Sequence, residues 1–161
     1  MSDNQKRMAI IATKGTLDWA YPPFVLASTA AAIGFDTKIF FTFYGLNLLK
    51  RDLDLKVSSL GNPGMPMPMG MNKWFPTLGQ AMPGMENMMT MMMKQKIKDK
   101  GVASVEDLRG ACIESDVEMI ACQMTVDLFD VRREDLIDEV STGGAATFLE
   151  FAGDSNITLY I

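Results

Sequence analysis

The chain has 161 residues, 48% of them hydrophobic, which suffices for one domain with a single sizeable core, and residues 1–161 are treated as that domain. Its net charge of −5 is the wrong balance for a nucleic-acid-binding protein, whose affinity comes mainly from neutralised phosphates. The complete absence of histidine excludes Ser-His and Cys-His dyads and imidazole-ligated zinc. A reactive cysteine would therefore be activated by a helix N-terminus or by lysine or arginine.

Strands and helices alternate from the N-terminus onward. Residues 8–12 are a continuous apolar run, typical of a strand buried on both faces. A helix follows, with Thr16 suited to its N-cap and Gly34 to its C-terminal cap. Residues 37–42 are β-branched and aromatic and predict the second strand. Together these segments predict a βαβ unit, which right-handed crossover geometry makes parallel.

The stretch 61–84 is rich in proline and glycine, which break regular elements, so we interpret it as an excursion from the sheet. With the helix predicted for 85–98, it forms a Met/Pro-rich insertion of about residues 61–100. Eleven of the fifteen methionines fall between Met65 and Met93. Thioethers suit Cu(I), but the segment lacks histidine and nearby thiols, so we predict no metal site and favour an apolar packing surface. Helix spacing of the methionines at 85, 88, 89, 92 and 93 predicts one packing stripe.

The remaining elements complete the alternation. Ser104 and Asp107 have the form of a capping box that opens a helix through Ile113. A third strand is predicted at 117–121, a weak strand at 138–140, a helix at 145–152 that the segment 141–144 introduces, and a last strand at 157–161. This order predicts an α/β fold, a single-domain, mainly parallel five-stranded sheet flanked by helices with flavodoxin-like layering.

Cys122 lies where the third strand gives way to an amphipathic helical stretch. Reactive groups in open parallel sheets collect outside the carboxyl ends of the strands. The free amides and the dipole of a following helix would favour the thiolate. The alternative is a small buried hydrophobic residue, and position alone leaves the two readings equal.

Other candidate residues share this edge, which should gather the segments 13–15, 42–45, 122–124 and 141–144. Lys14 is the nearest candidate cation for Cys122. The turns at Gly15 and at Gly143 and Gly144 could present amides to an anion, but they match neither a P-loop nor a dinucleotide fingerprint, and tight turns explain them better. Cys112 lies ten residues before Cys122, so the pair is no CxxC motif. Core packing is its default, with a role as resolving thiol if its helix end approaches the strand tip.

Four segments, 27–32, 40–46, 120–127 and 143–149, together resemble the DsrE/DsrF-like family, specifically its larger branch with a Met- and Pro-rich insertion, sometimes described as peroxiredoxin-like. The block Ala121-Cys122-Gln123-Met124-Thr125 is the most specific part. Tyr44 departs from the tryptophan expected more often at its position. The candidate site residues are thus Cys122 with, as supporting residues, Lys14, Gly15, Tyr44, Gln123, Met124, Gly143 and Gly144.

The resemblance implies a homo-oligomer and a cysteine at the position of Cys122 that carries sulfane sulfur as a persulfide, with no other cofactor. Relatives work with rhodanese-type donors and TusA-like acceptors. Two hypotheses remain: a persulfide-carrying sulfurtransferase in a cytoplasmic sulfur relay, or a non-catalytic oligomeric scaffold whose insertion binds a partner, a membrane surface or Cu(I). The polar N-terminus predicts a cytoplasmic location, and the longest apolar stretch, 19–34, is too short to span a bilayer.

Overall fold

The computed structural model describes residues 5–58 and 82–161. Within them, five strands form one sheet, and every neighbouring pair is parallel. The strands are β1 (Arg7–Ala12), β2 (Asp36–Phe41), β3 (Glu118–Cys122), β4 (Val140–Gly143) and β5 (Ile157–Tyr160). Their order across the sheet is β4-β3-β2-β1-β5. The predicted α/β fold with a five-stranded parallel sheet is confirmed.

Helices cover both faces of the sheet, but unequally. They are α1 (Leu17–Ala32), α2 (Met85–Asp99), α3 (Val105–Glu114), α4 (Gln123–Leu128) and α5 (Ala145–Gly153). Alternate strand residues point to opposite faces. One face, which includes Ile10 and Phe41, builds the larger core with α1 and α3, whereas the other, which includes Phe40 and Cys122, packs as a small cluster on Phe148 of α5.

The ends of two helices follow their predicted chemistry. Gly34 has φ +90° just beyond α1, and the amides of Gly34 and Phe35 donate to the carbonyls of Ala31 and Ala30, a Schellman arrangement. Ser104 and Asp107 form the complete capping box, with hydrogen bonds of 3.0 and 3.1 Å. Thr16 occupies the N-cap position of α1, but its side chain makes no capping hydrogen bond.

The predicted boundaries of the fourth strand were wrong. The weak strand was predicted at 138–140, with residues 141–144 leading into the next helix, whereas β4 runs from Val140 to Gly143. The helix predicted at 145–152 is confirmed as α5. Ser141 and Thr142 pair with Ile120 and Ala121 of β3. Because β4 is an edge strand with these two side chains exposed, it carries polar residues that resemble a loop.

The predicted helix in the insertion is confirmed as α2. The predictions for residues 59–81 lie outside the described residues. Three methionines four residues apart face the protein: Met89 is buried, and Met85 and Met93 pack on the core. Met88 and Met92, placed in the same stripe by the sequence, are exposed instead, as is Met91. The five methionines therefore do not form one packing stripe. No helix in the described part of the chain is both long and apolar enough to cross a membrane.

Candidate functional site

The predicted candidate edge of the sheet is assembled by strand register. Ala12 of β1 pairs with Phe41 of β2, Phe41 with Ala121 of β3, and Ala121 with Thr142 of β4. Cys122 follows Ala121 and pairs with Gly143. The segments that follow β1, β2 and β3 therefore meet beside Cys122, as the parallel sheet predicts.

Cys122 is both the last residue of β3 and the N-cap residue of α4. It is 5% exposed and packs with Phe40, Ile120 and Phe148 on the face covered by α5. At an N-cap, a side-chain acceptor normally takes the backbone N–H of the second or third helical residue, here Met124 or Thr125. The thiol makes no such capping bond in the structure. An ionised sulfur, a much better acceptor, would have these donors within its reach.

The surroundings of Cys122 favour ionisation. Burial by itself raises the pKa of the thiol, but hydrogen-bond donors beside the sulfur outweigh it, and the pKa lies below the ordinary value of 9.0. These donors are the hydroxyl and amide of Thr125, the hydroxyl of Thr42 and the amide of Met124. Because α4 has only six residues, we attribute the effect to these particular donors rather than to the dipole of a long helix.

Thr42 and Thr125 are site residues that the sequence analysis missed. Their hydroxyl oxygens lie 3.1 Å apart, and the backbone N–H of Phe43 donates to the hydroxyl of Thr125 over 3.2 Å. Phe43 adopts φ +49°, an uncommon conformation for a side chain of this size. The available signal was spacing: Thr125 stands three residues after Cys122, which places it at the N3 position of the helix that Cys122 caps.

Gly15 joins the loop after β1 to the loop after β2. A Cβ atom on Gly15 would lie 2.1 Å from the carbonyl oxygen of Tyr44, and one on Gly45 would lie 2.2 Å from that of Ala12. The main chains of these two loops thus come into direct contact at Gly15 and Gly45, where a Cβ atom would collide. The contact explains why glycine occupies both positions, and it supports the reading of Gly15 as a packing residue.

Lys14, predicted as the cation nearest to Cys122, contacts another group. Its ammonium lies over the indole of Trp19, with Nζ 3.1 Å from the ring centroid. Cation–aromatic contacts of this kind are favourable. The contributions that lower the pKa of Cys122 come from the threonine hydroxyls and the backbone amides.

The other supporting residues directly follow Cys122 in the chain or lie in and just after the neighbouring strand β4. The side-chain amide of Gln123 donates to Asp127 over 2.8 Å, and the side chain of Met124 is exposed. Gly143 is the strand partner of Cys122, and a Cβ atom there would touch Ile120 at 3.0 Å. Gly144 is the N-cap residue of α5, with open space where a Cβ would be.

Aromatic side chains form an exposed rim after β2 and α4. Tyr44 is 65% exposed and stacks on Phe129, with ring centroids 5.9 Å apart. Phe43 meets the same ring edge-on at 6.2 Å. The rim flanks the segments that carry Thr42 and Thr125, so the site is bordered by apolar surface open to solvent.

Cys112 has the opposite surroundings to Cys122. It lies in α3 with no exposed surface, and its Sγ donates to the carbonyl of Phe24 in α1 over 3.5 Å. Burial raises the pKa of Cys112 to about 12. These features support the default interpretation of Cys112 as a core residue that joins α1 to α3.

A model of the DsrE/DsrF/DrsH-like family matches residues 4–160. The chain belongs to this family. It is 68% identical over 157 residues to the "Sulfur carrier protein DsrE2" of Allochromatium vinosum, a match that covers 98% of this chain and 99% of that protein. It is 29% identical over 164 residues to the uncharacterized protein YrkE of Bacillus subtilis, and both chains are covered in full.

Among solved structures, the ychN protein of E. coli has the same fold, with a TM-score of 0.54 at 10% sequence identity. The superposition covers 98% of this chain and 100% of the other. At this identity the likeness concerns the fold alone. It agrees with the layered parallel α/β sheet described above, and family membership confirms the resemblance found in the sequence.

Proposed function

We propose that this protein is a sulfur carrier that holds sulfane sulfur as a persulfide on Cys122 and passes it along a sulfur relay. The observation that carries the proposal is the contrast between the two cysteines, since only Cys122 combines a strand-end position with donors that favour the thiolate. The name of the A. vinosum relative, a sulfur carrier at 68% identity, supports the same role.

The chemistry needs two exchanges at sulfur. In the first, the Cys122 thiolate attacks the terminal sulfur of a donor persulfide. A new Sγ–S bond forms, the donor's own S–S bond breaks, and the donor leaves with that electron pair as a thiolate. In the second, an acceptor thiolate attacks the terminal sulfur, the Sγ–S bond breaks, and its electron pair returns to Cys122 as a thiolate. Neither step changes the net oxidation state, and neither needs a histidine base. Rhodanese-type proteins suit the first step as donors, and TusA-like proteins suit the second step as acceptors.

Sulfur loading of single-cysteine variants tests the assignment. The protein is incubated with a sulfane-sulfur donor, desalted without reductant and weighed by intact-mass spectrometry. We expect wild type and Cys112→Ser to gain the mass of one or more sulfur atoms and Cys122→Ser to gain none. Loading that persists in Cys122→Ser and disappears in Cys112→Ser would reverse the assignment. An unloaded wild-type protein would reject the carrier function.

A second role as an oligomeric scaffold is favoured by α2, which exposes Met88, Met91 and Met92. Exposed apolar surface of this kind commonly marks an interface between proteins or with a membrane, and we propose that it supports self-association. Light scattering on a variant with all three methionines changed to glutamine should show a smaller assembly. An unchanged mass would reject the surface as a self-association interface, and tight Cu(I) uptake lost in the same variant would favour the metal alternative.

A further inference from the structure

The hydroxyl pair of Thr42 and Thr125 joins two segments separated by 83 residues in the chain. Thr125 has no exposed surface and Thr42 is partly buried. A threonine in a helix ordinarily turns its hydroxyl back to a carbonyl one turn earlier. Here the hydroxyl of Thr125 instead meets Thr42 and the amide of Phe43. The pair is therefore a polar connection between the ends of β2 and β3, at the level of Cys122.

The two threonine hydroxyls have one more hydrogen than their mutual hydrogen bond requires. The N–H of Phe43 is only a donor, so it occupies a lone pair on the Thr125 oxygen. The two hydroxyls carry two hydrogens, and the bond between them uses one. The other hydrogen is available to a third group. The sulfur of Cys122 is an acceptor beside both hydroxyls, weak as a thiol and strong as a thiolate.

We propose that Thr42 and Thr125 are positioning residues for sulfur exchange, forming a hydroxyl relay that is anchored by the Phe43 N–H and donates one hydrogen to the Cys122 sulfur whenever that sulfur is anionic. This inference rests on the proposed carrier function. When Cys122 holds a persulfide, the charge lies on the terminal sulfur. When the acceptor breaks the Sγ–S bond, the charge returns to Sγ. The relay thus stabilises the leaving group of the delivery step, and a better leaving thiolate departs faster.

The first experiment measures Cys122 without any sulfur donor. The rate of iodoacetamide labelling of Cys122 is followed against pH in wild type, Thr125→Val and Thr42→Val, with the labelled peptide identified by mass spectrometry. Valine keeps the branched shape and removes the hydroxyl. We expect the midpoint to rise by about one pH unit in Thr125→Val and by somewhat less in Thr42→Val. Thr125→Ser and Thr42→Ser keep the hydroxyl and should remain close to wild type.

The second experiment measures delivery. Variants loaded with sulfur to the same extent are mixed with glutathione, and loss of the added sulfur mass is timed. We expect release to be several-fold slower from the valine variants and near wild type from the serine variants. Unchanged labelling midpoints in folded valine variants, or serine variants as impaired as valine ones, would overturn the relay.

Folding and function are controlled separately. Circular dichroism establishes that each variant is folded, and Thr42→Val, at a partly buried position, provides the test if Thr125→Val does not fold. If wild type takes up no sulfur, the carrier function is rejected, whereas the labelling profiles still decide whether the hydroxyls act on the Cys122 thiolate.

Discussion

The two cysteines are almost equally buried, with 0% of Cys112 and 5% of Cys122 exposed, yet their pKa values shift in opposite directions. At Cys112 the sulfur meets helix packing, one carbonyl and a backbone hydrogen bond from Ser28, and burial outweighs that hydrogen bond and raises the pKa to about 12. At Cys122 burial also opposes ionisation, but donors from Thr125, Thr42 and Met124 reverse the direction. The acidity of a buried thiol thus depends on the polarity of its neighbours, because acceptors leave a thiolate unsolvated and donors replace the lost water.

Alkylation should separate the two cysteines most widely. Near neutral pH, a thiol with a pKa of about 12 is ionised in roughly one molecule in 10⁵, whereas one below 9 is ionised in more than about one in 100. We therefore expect iodoacetamide to modify Cys122 of the native protein at least about 1,000-fold faster than Cys112. Peptide mass spectrometry reads both sites in one sample, and in urea the two rates should converge. Comparable labelling rates for Cys122 and Cys112 in the native protein would contradict the difference in their pKa values.

The next largest effect concerns the loop contact that supports the Cys122 side. Gly15→Ala places a Cβ atom 2.1 Å from the Tyr44 carbonyl, so the main chain must shift, and we expect a loss of about 1–3 kcal/mol in the free energy of unfolding. Gly110→Ala is the matched control beside Cys112. It has open space in α3 and should gain about 0.5–1 kcal/mol. Urea denaturation measures both variants, and equal stabilities would show that the loops separate without strain.

At alkaline pH the two thiols should affect the free energy of unfolding in opposite directions. From pH 9 to about 12 the unfolded chain has lost the Cys112 proton while the folded chain retains it, so stability falls by up to about 1.4 kcal/mol per pH unit. The advantage of wild type over Cys112→Ala should therefore shrink as pH rises above 9. Cys122 has a lowered folded pKa, so its contribution should grow with pH up to about 9. Urea unfolding of wild type and of variants that lack one cysteine, under reducing conditions across this pH range, measures both contributions. Differences in the free energy of unfolding that do not change with pH would contradict the opposite pKa shifts.

Lys14→Ala should have the smallest effect of these substitutions, because we expect it to leave the acidity of Cys122 almost unchanged. The ammonium is placed on the Trp19 ring, so we expect the labelling midpoint of Cys122 to move by no more than about 0.3 pH unit. The measurement is the same pH profile as for the threonine variants. A rise as large as that in Thr125→Val would support the prediction from the sequence that Lys14 stabilises the thiolate.

Much of the fold was predictable because its signals are local. The apolar run of β1, the Gly34 cap and the Ser104 capping box each depend on a few adjacent residues, and all three are confirmed. The boundary of β4 was missed because an edge strand with exposed Ser141 and Thr142 lacks the apolar pattern of a buried strand.

For the candidate site, the sequence predicts where Cys122 lies in the fold but not which groups hydrogen-bond around it. The position of Cys122 follows from the end of β3, but its hydrogen-bonding neighbours depend on side-chain directions that spacing does not fix. Thr42 becomes relevant only because the backbone turns at Phe43 and directs an amide to Thr125. Likewise, the shared edge of the sheet predicted Lys14 as the nearest candidate cation, but the contact of its ammonium with the Trp19 ring depends on a side-chain direction that the sequence does not fix.

Thr125 lies 83 positions after Thr42 in the chain, and this separation also connects the chemistry of this protein to its synthesis. The ribosome completes β2 and Thr42 long before it reaches Cys122, and the hydroxyl of Thr42 joins the donors of Thr125 and Met124 only when β3 docks beside β2. A nascent or partly unfolded chain therefore carries an ordinary thiol at Cys122, ionised to the extent of any free cysteine. The lowered pKa of Cys122 therefore appears together with the native fold, and under the proposed carrier function an incomplete chain would take up sulfur more slowly than the folded protein.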